Sequence, residues 1–297
     1  MSKDYSFHKP IVVVLSSEES KRIIAKGIAL LPEVIKARRE GIIGLAMCSS
    51  AGYVAEELLG KPLDDLSGYC SGYISKWGYC FADPELQHPQ IVFSGGEVHF
   101  LKRPKQSLMQ FLPKMGHEDI IIKSGNALDL DGNIGVLVAD PDGGEIGQYL
   151  GHIYSQGIRL IIPMTINKTI PVRIKDISNR LGVTRLDVNH HFGLVCGMIP
   201  ITGKVITEIE ALKIIANVDA TPIVFNGFGS GSGTVSFLIE GDSSELEKAW
   251  NLMNSVKGEP PLRNKALHCE NCPTQKEDSL VKCNPQSFSF DQVTSKT

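Results

Sequence analysis

The sequence lacks an excess of either charge, and it lacks a long apolar run near its beginning. Its 297 residues carry 30 lysines and arginines against 33 aspartates and glutamates, a formal net charge of −3. This balance gives no basic surface for DNA, RNA or an anionic membrane. The first apolar run, Ile11–Leu15, is too short for a signal-peptide core or a membrane span. We therefore expect a cytoplasmic protein with no nucleic-acid and no membrane partner.

The cysteine pattern of a secreted, disulfide-linked protein is also missing. The chain has seven cysteines, an odd number, and Cys48, Cys70, Cys80 and Cys196 are scattered through apolar or glycine-rich segments. We expect these thiols to be reduced. With 42% apolar residues the chain can bury a full core, which predicts one large or two moderate domains.

What the sequence does contain is a series of short apolar runs separated by helical patterns. These runs lie at residues 11–15, 42–46, 119–123 and 159–164. The first helix should begin at a capping box formed by Ser16 and Glu19. Buried strands that alternate with helices are typical of α/β proteins. We predict a doubly wound, mostly parallel sheet in a ligand-binding domain over residues 1–199.

The pattern changes from about residue 200. Residues 200–262 read as helix, strand, strand and helix, which predicts a smaller α+β (ferredoxin-like) module that acts as a lid or makes a homo-oligomer. Residues 263–297 are polar and predict a tail. Within that tail, Cys269, Cys272 and Cys283 have half the spacing of a zinc motif. A structural zinc ion and a metal-free tail are the two alternatives, and we expect no other cofactor.

The most informative segment is 41–60, which reads as a short buried strand, a turn of small residues and an amphipathic helix. Unpaired N–H groups and the helix dipole favour an anion at such a helix start. The candidate ligand-binding residues of this turn are Cys48, Ser49, Ser50, Ala51 and Gly52. The segment therefore predicts a site for a small anionic metabolite.

A second candidate loop follows the buried strand at 119–123 and carries five carboxylates between residues 123 and 145. Its candidate ligand-binding residues are Ser124, Gly125, Asn126, Asp140, Gly143 and Gly144. Asp129, Asp131 and Glu145 are candidates for acid and base catalysis, because paired carboxylates at a strand end can exchange protons. The alternative is turn chemistry, in which Asp-Gly sequences simply reverse the chain.

Several of these segments together resemble the ribose-5-phosphate isomerases. The first half of the resemblance consists of residues 41–45, the Ser49-Ser50 turn and residues 53–58, and the second half consists of residues 125–128 and 131–133. The second half is similar to the loop that carries the Gly-Ala-Asp signature of that family. The resemblance covers about residues 18–165 and implies the fold shared by these isomerases, glucosamine-6-phosphate deaminase and the CoA-transferases.

The chain departs from the pattern of that family at two places. Residues 46–50 lack the glycines of the family's Gly-Thr-Gly-Ser-Thr loop, and Asn126 stands where the signature has aspartate. An amide cannot act as a general base, so either Asp129 or Asp131 takes that role or the reaction differs.

Three functions follow from the sequence as hypotheses. The first is an isomerase or transferase that binds a phosphorylated or carboxylated small molecule. The second is a non-catalytic metabolite sensor whose C-terminal module responds to occupancy of the first domain. The third is an assembly protein with a zinc-tied tail.

Overall fold

A computed structural model of the protein describes residues 9–75, 78–228, 232–263, 272, 274 and 279–284. The helices are α1 (Ser17–Ala29), α2 (Pro32–Glu40), α3 (Ser49–Leu59), α4 (Gly144–Gln156), α5 (Ile174–Ser178), α6 (Glu208–Ala216) and α7 (Ser243–Val256). The strands are β1 (Ile11–Leu15), β2 (Ile42–Leu45), β3 (Gly72–Ser75), β4 (Gly78–Phe81), β5 (Gln90–Ser94), β6 (Glu97–Leu101), β7 (Ile120–Ile122), β8 (Ala127–Leu128), β9 (Ile134–Val138), β10 (Arg159–Pro163), β11 (Gly193–Leu194), β12 (Gly197–Ile201), β13 (Lys204–Ile206), β14 (Asp219–Phe225), β15 (Val235–Glu240) and β16 (Cys283–Asn284).

The central sheet has six strands in the order β13-β10-β7-β2-β5-β6. Strands β2, β7, β10 and β13 run parallel to one another, whereas β5 pairs antiparallel with β2 and with β6. The chain builds the sheet outward from β2, first through β5 and β6 and then in the other direction through β7, β10 and β13. The order of the strands therefore reverses between β2 and β7. At such a point the loops beyond the carboxyl ends leave a crevice in which ligands bind.

Both faces of the central sheet are covered. Ile120 and Ile122 of β7 pack into one core with α1, α2, α3 and α6, and the intervening Ile121 packs into a second core with α4. Successive side chains of a strand point to opposite faces, so a strand that is buried on both sides reads as a continuous apolar run. The molecule is therefore a mixed α/β protein, as the sequence predicts.

A second sheet lies over the first core and has the order β1-β15-β14. Strand β1 pairs antiparallel with β15 from Ile11 opposite Ile239 to Leu15 opposite Val235. Residues 11–15 and 235–240, which are far apart in the sequence, thus meet in one sheet. Strand β13, which follows residue 200, extends the central sheet. The domain boundary near residue 200 and the homo-oligomer stay predictions.

Local sequence signals place several element ends correctly. The capping box of Ser16 and Glu19 is confirmed, and Pro32 opens a new helix, α2, as its first residue. Residues 107–115 form a pair of 3-10 turns and not an α-helix, because Pro113 has no N–H group to continue a helix. Helix α6 starts at Glu208, since the preceding Lys204–Ile206 pairs with β10. Within the part of the chain that the structure describes, no helix has the length and apolar character needed to cross a bilayer.

Candidate functional site

The turn after β2 delivers the chain to a helix start that no side chain caps. Cys48 is the N-cap of α3, and the first intrahelical bond runs from the Gly52 N–H to the Cys48 carbonyl over 3.1 Å. The preceding N–H groups, of Ser49, Ser50 and Ala51, therefore lie beyond the intrahelical ladder. The Ser50 hydroxyl is buried and has no hydrogen-bond partner among the described residues. This is the uncapped helix start that the sequence predicts as an anion site.

The Glu145 carboxylate fixes the peptide in front of that helix. Its Oε2 accepts hydrogen bonds from the Met47 N–H (3.0 Å) and from the Lys123 ammonium (3.2 Å). Its Oε1 accepts from Gln90 Nε2 (2.8 Å) and from the Tyr149 hydroxyl (3.0 Å). Burial alone would lower the pKa of Lys123, but the facing carboxylate raises it above its ordinary value. Four donors thus occupy the carboxylate, which orients the turn and neutralises Lys123.

Lys168 is the most unusual cation of this edge. It ends the 3-10 turn Ile166–Lys168 after β10, is half-buried, and donates from Nζ to the Gly125 carbonyl (2.9 Å) and Ser124 Oγ (3.4 Å). No carboxylate among the described residues forms an ion pair with it. Burial, together with the nearby charge of Lys21, lowers the pKa of Lys168 to about 8.

Lys21 reaches the same edge from the buried side of α1. Its side chain is largely buried, its residue is 8% exposed, and its ammonium lies 3.6 Å from Glu18. Burial lowers the pKa of Lys21 below its ordinary value, although Glu18 opposes this. Lys21, Lys123 and Lys168 together are called the lysine cluster below. Two carboxylates pair with Lys21 and Lys123, whereas Lys168 forms no ion pair with any residue that the structure describes.

Cys48 lies among the three lysines. Its Sγ accepts a hydrogen bond from the Ser124 N–H over 3.3 Å, which ties the end of β2 to the end of β7. The hydroxyl of the same Ser124 accepts a hydrogen bond from Lys168 Nζ over 3.4 Å, which adds the turn after β10. The turns after β2, β7 and β10 therefore meet at Cys48 and Ser124, as expected for the carboxyl ends of parallel strands.

A buried carboxyl group lies behind the lysine cluster. Glu208, the first residue of α6, is fully buried, and its Oε2 accepts from the Ile166 N–H over 3.0 Å. Its Oε1 lacks a hydrogen bond of normal geometry, although the Ser20 hydroxyl is close enough to act on it. Burial raises the pKa of Glu208, so its protonated form is favoured. The charge of Glu208 also acts on Lys168.

The two aspartates predicted as acid and base lie in the hairpin between β8 and β9. Asp129 accepts from the backbone N–H groups of Asp131 (3.0 Å), Asn133 (2.8 Å) and Ile174 (3.0 Å). Burial would raise the pKa of Asp129, but these donors lower it. Its carboxylate thus closes the turn and holds the start of α5, while Asp131 is exposed. Their recorded contacts do not include the Cys48 turn.

The other predicted ligand residues of the second loop divide into two groups. Ser124 and Gly125 contact Lys168 directly and belong to the site. Asn126 accepts the Leu137 N–H over 2.9 Å and binds its own hairpin. Asp140, Gly143 and Gly144 form the turn that leads into α4. The two glycines there have φ values of +78° and +58°, which favour glycine, and they bring Glu145 to the site.

Gly52 lies in close packing between α3 and the residues that follow it. A Cβ atom at this position would lie 2.7 Å from Leu66 Cδ1 and 3.0 Å from Tyr69 Cβ. The Tyr69 hydroxyl donates to the Leu45 carbonyl over 3.0 Å and accepts from the Ile91 N–H over 3.1 Å. The missing side chain of Gly52 therefore lets α3 approach the residue that braces β2 against β5.

The predicted zinc ligands are only partly covered by the structure. Cys269 lies outside the described residues. Cys283 is in β16, where it pairs with Leu194 of β11, and Cys272 lies close enough to Cys80 to affect its pKa, which burial raises. Among the described residues no group of three potential ligands is arranged to hold a metal ion. The structural zinc ion stays a prediction.

A surface cavity of about 400 Å³ lies elsewhere on the molecule. It is lined by Ile74, Tyr79, His190, His191, Phe192 and two small residues, Ser75 and Gly78. It shares no lining residue with the Cys48 turn or the lysine cluster, and no lysine or arginine is among its described lining residues. The described lining of this cavity offers no permanent positive charge to an anionic ligand, so we take the edge of the central sheet as the candidate site.

Sequence reasoning missed the groups that come from outside the two candidate loops. These are Lys21, Lys168, Glu208 and Gln90. Lys168 could have been predicted from the sequence, because it follows the buried strand at 159–164 and so belongs to the same sheet edge. The sequence signal for Lys21 is weaker: it lies between Ser20 and Ile23 on the buried side of a helix. Only tertiary packing brings Glu208 and Gln90 to the site.

Comparison with protein-family models, with curated protein sequences and with solved structures finds no match for this chain. The resemblance to the ribose-5-phosphate isomerases accordingly stays a prediction. The site is defined by its own geometry: an uncapped helix start, a thiol, and three lysines, of which Lys168 forms no ion pair with the described part of the chain.

Proposed function

We propose that this protein binds a small phosphorylated or carboxylated metabolite at the carboxyl edge of the central sheet. The anionic group is held by the first turn of α3 and by the lysine cluster. The observation that carries the proposal is Lys168, a half-buried ammonium group whose recorded partners are a carbonyl and a hydroxyl. Hydrogen bonds to neutral groups compensate a buried charge only in part, and an anionic ligand supplies the missing charge.

The position of the site in the fold supports the same proposal. The Cys48 turn follows β2 and the Ser124 turn follows β7, and the strand order reverses between these two strands. This is the place where open α/β sheets bind ligands. The parallel strands and two covered faces are compatible with a doubly wound, isomerase-like or CoA-transferase-like fold, which we include in the proposal. Isomerisation or group transfer on a phosphorylated small molecule is the reaction class that this fold suggests.

The proposal predicts that inorganic phosphate and ribose 5-phosphate stabilise the protein against heat, and that Lys168→Met abolishes the effect. Methionine keeps an unbranched side chain but removes the charge, so the variant should fold and lose the main counter-charge for an anion. At a ligand concentration 100 times Kd, the wild type should gain about 2.7 kcal/mol. The measurement is a thermal-shift titration, followed by calorimetry with the better ligand.

Lys175→Met is the matched control, because Lys175 is an exposed lysine on α5. This variant should keep the full stabilisation by both ligands. Equal stabilisation of the wild type, the Lys168 variant and the Lys175 variant would show that phosphate acts nonspecifically, and it would refute the site. No stabilisation of the wild type by phosphates or by small carboxylates such as citrate would refute the proposal as a whole.

A further inference from the structure

We propose that Lys168 is a nucleophilic amine that forms an imine with an aldehyde or ketone carbonyl of the bound anionic ligand. This inference rests on the proposed binding function and narrows its substrate class to phosphorylated or carboxylated carbonyl compounds. It gives Lys168 a chemical role in addition to its charge.

The surroundings of Lys168 favour the neutral amine that such a reaction needs. Lys21 and Lys123 lie close enough to disfavour a third positive charge, although Glu208 acts in the opposite direction. Lys21 and Lys123 each form an ion pair with a carboxylate, whereas Lys168 forms none with the described residues. With a pKa of about 8, roughly a tenth of the Lys168 side chains are neutral at pH 7. An ordinary exposed lysine is neutral in fewer than about one molecule in a thousand. Desolvation beside other cations is a known way to activate a lysine nucleophile.

The position of the amine also suits a ligand held at this edge. Lys168 ends a short turn whose backbone is fixed by the bond from its own N–H to the Thr165 carbonyl (3.1 Å). Its Nζ is oriented by the Gly125 carbonyl at 2.9 Å, and the residue as a whole is half-buried at the edge of the sheet. Ser124, the other partner of Nζ, also donates its N–H to Cys48 at the start of α3. One residue therefore separates the amine from the proposed anion site.

The step is balanced with groups that the site contains. The nitrogen lone pair of neutral Lys168 attacks the carbonyl carbon, a C–N bond forms, and an N–H proton moves to the carbonyl oxygen. The second N–H proton passes to the same oxygen through the Ser124 hydroxyl, which is hydrogen-bonded to Nζ over 3.4 Å. The C–O bond then breaks and the oxygen leaves as water. One water molecule is released for each imine formed.

The test is reductive trapping of the full-length protein with glycolaldehyde phosphate and sodium cyanoborohydride, followed by peptide mass analysis. Lys168 should be modified at least about ten times faster than the exposed Lys175 at pH 7, in line with the larger neutral fraction. The rate at Lys168 should level off near pH 8, where its amine becomes neutral, while the rate at Lys175 should still rise above pH 9. Glycolaldehyde without phosphate should show a smaller preference for Lys168, and excess inorganic phosphate should slow the reaction there.

Lys168→Arg is the second variant, because it keeps a cation that can bind phosphate but cannot form the imine. It should be stabilised by phosphate and should show no trapped product at position 168. Equal trapping at Lys168 and Lys175 in the wild type would overturn the imine. If phosphate still stabilises the wild type in that case, only the imine fails. If phosphate stabilisation is absent as well, the binding function fails with it.

Discussion

Replacing Glu145 with alanine is expected to lower the free energy of unfolding by about 3–5 kcal/mol. The substitution leaves Lys123, which is 8% exposed, as a buried cation without its carboxylate, and such half-broken pairs are strongly destabilising. It also removes the acceptor of the Met47 N–H, so the peptide before α3 loses its anchor. Urea unfolding followed by circular dichroism measures the change.

A double-mutant cycle separates the charge pair from the other hydrogen bonds. Lys123→Met removes the cation, so Glu145→Ala should cost less in the Lys123→Met background than in the wild type, by about 1–3 kcal/mol. Glu247→Ala on the exposed side of α7 is the control and should change stability by less than about 0.5 kcal/mol. If Glu145→Ala costs less than about 1 kcal/mol, the carboxylate does not organise this edge.

The edge of the central sheet that carries the candidate site could be predicted from the sequence, because the prediction depends on local signals. Uninterrupted runs such as Ile120–Ile122 indicate strands buried on both faces, and the small residues after β2 indicate a helix start. A short apolar run, a cap and a turn are each complete within a few residues. Sequence reasoning therefore found the Cys48 turn and the Ser124 turn, and the structure brings them together through the Ser124 N–H and the Cys48 sulfur.

The charges of the site could not be predicted in the same way, because they arrive from distant parts of the chain. Lys21 comes from α1, which precedes β2, and Glu208 comes from α6, which follows β13. The aspartates of the β8–β9 hairpin were predicted to be catalytic because this segment of the sequence contains several carboxylates. Asp129 and Asn133, four residues apart, instead make a turn in which the carboxylate accepts backbone N–H groups. A count of carboxylates cannot distinguish these two uses.

The strands that sequence reasoning missed show the same limit. Strands β9 and β12 pair from Ile134 opposite Ile201 to Val138 opposite Gly197, across about 60 residues of intervening chain. Gly135, Gly197 and Pro200 weaken the local strand pattern of both segments. Their pairing depends on long-range contacts and on packing against the second core, which holds Ile134, Val136 and Ile201.

The free energy of unfolding of the wild type is expected to rise as the pH increases from about 8 to about 10.5, and Lys168→Met is expected to lose most of this rise. Between these pH values the unfolded chain still carries a proton on Lys168, while the folded protein, in which the pKa is about 8, has released it. Stability increases with pH wherever the unfolded state binds more protons. For a fully buried group the shift would correspond to about 3 kcal/mol, and the partial exposure of Lys168 lowers the expected rise to about 1–3 kcal/mol.

The difference between the two proteins reports Lys168 together with its interaction with Lys21, whose pKa is also lowered and which titrates in both. At pH 7 the Lys168→Met variant should be more stable than the wild type, and the two should approach each other near pH 10. Urea unfolding at pH 7, 8, 9 and 10, with Lys175→Met as the control, measures both effects. Parallel curves of stability against pH for the wild type and Lys168→Met would show that the folded protein does not disfavour the positive charge of Lys168.

A binding site for an anion explains why the protein contains a lysine that lowers its stability at pH 7. The bound anion compensates the charge of that lysine. Saturating phosphate should therefore remove most of the advantage of the methionine variant.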